Sequence, residues 1–172
     1  MRGRAVLTAL VRAGLTTAVI DGLFSSVLSA GFYGSTVTRL WQGVASTLLG
    51  ADAFSGGTRT MLVGLLMHVG VAFTWSGVFL LVFLAAPWLR RVVSSPYGWL
   101  AVAAVYGPFI WSAMSLVVIP ALLHRPPTIR FRWWVQFVGH VPFVALPIIW
   151  SIRRTLSVNH GADVAPGAAL PG

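Results

Sequence analysis

Apolar residues in this chain do not alternate with polar ones. They run on in four long blocks, Ala13 to Tyr33, Thr60 to Leu84, Tyr97 to Leu123 and Trp133 to Ile152. Each block, wound as a helix rising 1.5 Å per residue, is long enough to cross a hydrocarbon core about 30 Å thick. Helix is the only open element that satisfies its own backbone groups in lipid, so the pattern predicts four transmembrane helices. The expected fold class is all-α: an integral membrane four-helix bundle over residues 1–154, followed by a tail over 155–172. That tail is rich in Gly, Ala and Pro, has no apolar periodicity and is expected to be disordered.

The link between spans one and two carries a pattern of its own. Val37, Leu40, Trp41, Val44 and Leu48 recur at helical spacing, Arg39, Gln42 and Ser46 take the other faces, and Gly50 supplies a stop. This predicts a short interfacial amphipathic helix. Ser55, Gly56, Gly57 and Thr58 follow as a turn with capping candidates for span two. The plainer reading of the helix is a membrane-surface tether, which is preferred; the sharper one is a lid over a site between the spans.

Composition agrees with the pattern. The chain is 57% hydrophobic and only 9% charged, which places it far from soluble domains of its size. Its net charge of +9 comes from twelve arginines against Asp21, Asp52 and Asp163, with no lysine or glutamate. These arginines cluster at span ends, where they meet lipid phosphates, so the expected partners are membrane lipids and no nucleic acid. A homo-oligomer or a membrane-protein partner is the further expectation. Arg2, Arg4, Arg12, Arg90, Arg91, Arg153 and Arg154 fall on one side and Arg39, Arg59, Arg125, Arg130 and Arg132 on the other. That bias favours a multi-pass protein with both termini cytoplasmic. Asp21 in the middle of the first apolar block argues against a cleaved signal peptide and for a retained span.

Tryptophan marks the interfaces. Trp88 and Trp99 flank the link between spans two and three, Trp133 and Trp134 open span four, and Trp150 closes it. Trp75 and Trp111 fall mid-span and are read as packed or lipid-facing bulk.

Ionisable groups inside a bilayer are costly and mark function by default, so the candidate chemistry is confined to a few positions. Asp21, His68 and His140 lie well inside their spans, and Gln136 and Ser115 are polar companions on the expected inward faces. Spans two and four start on the same side. Helix rise puts His68 and His140 roughly 10 to 12 Å deep and Asp21 about 18 Å deep.

The absence of cysteine excludes disulfides, thiolate metal sites and iron–sulfur clusters. No phosphate-binding glycine loop, zinc-protease helix or nucleophile elbow is present, so no catalytic residue is assigned. The leading expectation is transport or proton coupling through the polar cluster. One alternative is a non-catalytic membrane-complex subunit packing through Ala72, Ser76 and Gly77. The other is a bis-histidine haem or metal site with His68 and His140 as ligands; the cofactor is otherwise unknown.

Leu40 to Ser46, Leu49, Gly50 and Ala53 to Gly57, taken with Asp21 and His68, resemble a widespread group of uncharacterised bacterial inner-membrane proteins with four spans. That group carries an acid in span one, an "IASxLLGxxAFxGG"-like segment and a histidine early in span two. Met114, Ser115 and Pro120 are similar to its third-span pattern, although the group has asparagine where this chain has Ser115. The resemblance covers roughly the first 120 residues and implies the four-span topology, with no activity attached.

Overall fold

A computed structural model of the chain describes residues 2–162, and among these helix dominates and no strand occurs. Span one is α1 (Arg2–Val27) continued by a π-helical turn, Leu28–Phe32. After α2 (Val37–Leu49) and a 3₁₀ turn, Gly50–Phe54, span two is the single helix α3 (Gly57–Ala85). A short helix, α4 (Pro87–Ser94), leads to span three, made of α5 (Gly98–Ser112), a π-helical stretch Ala113–Val118 and α6 (Ile119–Leu123). Span four is α7 (Phe131–His140), a π turn Val141–Ala145 and α8 (Leu146–Ala162). Four helical stretches, Gly3–Phe32, Gly57–Ala85, Gly98–Leu123 and Phe131–Leu156, are long and apolar enough to cross a membrane.

The bundle is sorted as a membrane protein should be. On span one, Leu7, Leu15, Val19, Leu23 and Val27 are each at least half exposed and recur every four residues or multiples of four. The buried stripe of the same helix is Ala9, Ala13 and Thr17. Large apolar side chains therefore face outward and small or polar ones inward, the arrangement expected when lipid is the solvent and helices associate by close packing. The apolar core lies toward the end of the bundle that carries Arg90 and Arg153, where Ala13, Phe83, Val93, Ala103, Ile148 and Ile152 meet.

Span four is the packing centre: half of its most apolar stretch is buried, against 17–28% in the other spans. Its approach to span three requires Gly107, because a β-carbon there would collide with the backbone of His140 and Val141. Pro142 follows in the π turn, where its missing N–H is accommodated by the altered winding.

The helix expected between spans one and two is present as α2. Thr36 caps α2 by accepting a bond from the Arg39 amide at 3.1 Å, and Gly50 ends it with a φ of 64°. Its buried face, however, is Trp41, Gln42 and Ala45, while Val37 and Leu48 are exposed. Gln42, expected off the apolar stripe, points inward and donates to Gly57 O at 3.1 Å. The physical reason is the solvent: in lipid Val37 and Leu48 can face outward while the polar side chain seeks the bundle. Neither Ser55 nor Thr58 caps span two, which starts from Gly56 without a side-chain bond.

The link after span two is a helix rather than a plain loop. α4 buries Leu89 and Val93, and Arg90 turns back to donate to the carbonyls of Phe83 and Leu84 that span two leaves unpaired. At the other terminus, helix runs past Arg154 to Ala162, into the segment expected to be disordered. The rest of the expected tail, residues 163–172, lies outside the described residues.

Candidate functional site

Asp21 and His68 face each other across the seam between spans one and two, with Asp21 Oδ2 3.8 Å from His68 Nδ1 and both side chains about nine-tenths buried. His68 Nε2 lies 3.0 Å from the carbonyl oxygen of Ala18. A carbonyl can only accept, so Nε2 carries the proton in this bond. A neutral His68 therefore presents its bare Nδ1 to the carboxyl group of Asp21. Two lone pairs cannot face each other favourably, so a proton resides on one side of the pair or a water donates to both.

His140 is set by the same device in mirror form. Its Nδ1 donates to Gln136 O at 2.7 Å, one turn back along α7, which leaves Nε2 as the free basic nitrogen of the neutral ring. Asp21 interacts electrostatically with both histidines, and the histidines with each other. Gln136 thus enters the site through its backbone carbonyl.

An indole lies against each histidine. The Trp41 ring of α2 is 4.9 Å from His68, and the Trp111 ring of span three is 4.9 Å from His140. α2 can come this close because Gly64 has no side chain: a β-carbon would overlap the carbonyl of Trp41. The linker helix is therefore a cap seated on the Asp21–His68 pair, and not merely a surface tether. Gln42 and Thr60 fasten it, Gln42 to Gly57 O and Thr60 Oγ1 to Ala53 O at 2.6 Å.

Ser115 is not bonded into the acid–histidine group. It donates to Trp111 O at 2.6 Å and accepts from Trp133 Nε1 at 2.9 Å, tying span three to span four beside the Trp111–His140 contact. Trp111 was read as bulk and lies in the site. Trp75 is packing: its ring meets Tyr106 and Phe109, and Tyr106 donates to its carbonyl at 2.7 Å.

His68 Nε2 is taken by Ala18 O, and its bare Nδ1 faces the carboxyl group of Asp21 at 3.8 Å. Among the described residues no group of three or more histidine or acidic side chains is placed to hold a metal ion. The face of Ala72 and Ser76, proposed for a partner subunit, is buried inside the chain's own bundle.

Asp21 Oδ1 is buried and has no hydrogen-bond partner among the described residues. That is the main electrostatic anomaly of the site. A carboxyl group serving as interhelical glue would have its oxygens bonded, since an unmade bond at a buried acceptor costs about 1 to 3 kcal/mol. The four apolar spans and their outward apolar faces define a multi-pass membrane protein with a buried acid–histidine centre. No known family, curated protein or solved structure matches this chain.

Proposed function

We propose that the Asp21–His68 pair, with His140 nearby, is a proton-handling site and that the protein couples proton movement to transport across a bacterial inner membrane. The observation that carries this reading is the unsatisfied carboxyl group. Asp21 is held at one oxygen against a histidine whose tautomer is fixed by Ala18 O, while its other oxygen is left buried without a protein partner. Intramembrane acids retained at such a cost belong to proton relays and substrate paths in membrane proteins generally. A proton added to or taken from this pair changes the net charge inside the bundle, and Trp41 on α2 is placed to respond because it rests on the histidine. The arginine bias supports cytoplasmic termini for this reading.

The test is purified protein in liposomes with an imposed potential, reading internal pH with a trapped dye. Asp21→Asn keeps the shape and removes the titratable group. It is expected to abolish proton flux without loss of folded protein, and flux equal to wild type in that variant sinks the proposal.

A further inference from the structure

Three helix hydroxyls of this protein behave as serine and threonine ordinarily do in membrane helices, bonding back to a carbonyl four residues earlier. Thr8 bonds to Arg4 O, Thr74 to Gly70 O and Ser115 to Trp111 O. Three others do not. Thr17, Ser76 and Ser151 are 0–1% exposed, and their hydroxyls have no hydrogen-bond partner among the described residues.

These three are ordered along the bundle. Spans one and two are antiparallel, Asp21 facing His68 and Leu10 facing Gly77. Thr17 lies one turn, about 6 Å, from Asp21 toward the end bearing Arg4 and Arg153. Ser76 lies two turns, about 12 Å, from His68 in the same direction, level with Ala13. Span four is also antiparallel to span one, with the rings of Phe24 and Phe143 stacked at 4.0 Å, so its register brings Ser151 level with Thr16. Spans two and four touch one another as well as span one.

We infer that Asp21 Oδ1, Thr17, Ser76 and Ser151 hold a file of bound water that runs from the Asp21–His68 pair about 12 Å toward the end of the bundle bearing Arg4 and Arg153, as far as the apolar core. The chemistry is direct. Each hydroxyl is one donor and two acceptors, each is spared by its own helix, and buried polar groups without protein partners are the ordinary hosts of internal water. Such a file passes protons by exchange of hydrogen bonds and excludes larger ions. The file lies on one side of the pair, since Trp41 and α2 cover the opposite approach to His68. The inference rests on the proton-handling reading and specifies its route.

Two measurements in liposomes separate the route from the reading. Radiolytic hydroxyl labelling reports water held beside a side chain, and Phe73, whose ring lies on Gly14, is the reporter. Phe73 is expected to be labelled in wild type and to lose its label in the Thr17→Val, Ser76→Ala, Ser151→Ala triple variant. Proton flux is expected to fall roughly fivefold for Thr17→Val, the ratio that the loss of one ordinary hydrogen bond represents. Thr17→Ser, which keeps the hydroxyl, is expected to restore it. An unlabelled Phe73 in wild type, or a triple variant with wild-type flux, overturns the file. A labelled Phe73 with Asp21→Asn flux unchanged leaves a hydrated seam and removes the proton-handling reading.

Discussion

Gly64→Ala adds one methyl group at the point where α2 rests on span two. The β-carbon would overlap the carbonyl of Trp41 and crowd the amide of Ala45, both backbone atoms that no rotamer change can move. α2 must ride outward. Doing so loosens the Trp41–His68 contact, worth about 1 kcal/mol for a ring pair. It also lengthens the Gln42 bond to Gly57 O, worth about 1 kcal/mol more. Trp41 moving into lipid forfeits little hydrophobic burial, so packing and polar terms carry the cost. The sum, about 2 kcal/mol, falls within the 1 to 3 kcal/mol usual for overpacking.

Thermal unfolding in mild detergent should register that loss as a fall of roughly 4 to 8 °C, taking about 2 to 4 °C per kcal/mol. Gly70→Ala is the matched control on the same helix. Its β-carbon would meet nothing within 4 Å, so helix propensity alone predicts a gain of up to about 1 kcal/mol. A Gly64→Ala variant as stable as wild type, with Trp41 fluorescence unaltered, would show that α2 does not sit on span two and would remove the cap from the site.

Tyr106→Phe should lower stability by about 1 kcal/mol through loss of the bond to Trp75 O, read by the same melt. Arg90→Ala should cost about 1 kcal/mol by exposing the last carbonyls of span two, and Arg90→Lys should recover part of it. Since the chain has no cysteine, single cysteines at Ser94 and Ser35 can be probed from outside intact cells with an impermeant maleimide. Ser35 is expected to react and Ser94 to be protected, and the reverse pattern would invert the orientation.

The four spans were legible because each is decided locally: a run of about twenty apolar residues must be helical in lipid, whatever its neighbours. Gly50 as the end of α2 was legible for the same reason, since a left-handed backbone position favours glycine. The faces were harder. On α2 the apolar stripe did not reveal that Trp41, Gln42 and Ala45 would be buried, because amphipathic patterning in a bilayer does not say which face meets protein. α4 was missed because eight residues between two spans carry too few periods to stand out.

In the site, the sequence pointed to Asp21, His68 and His140 because charge inside an apolar run is conspicuous. It gave no sign that Trp41 would lie on His68, although Gly64, one turn before the histidine, is the residue that permits it. Helices as uniformly apolar as α3 and α5 carry almost no rotational information in their own pattern. Which side of each turns inward was therefore settled by contacts between distant segments: Gly64 against Trp41, Gly107 against His140, Phe24 against Phe143. Membrane insertion follows from the chain one helix at a time. The pairing of an acid with a histidine, and the hydroxyls left unbonded beneath it, exist only once four helices have chosen their mutual rotation and depth.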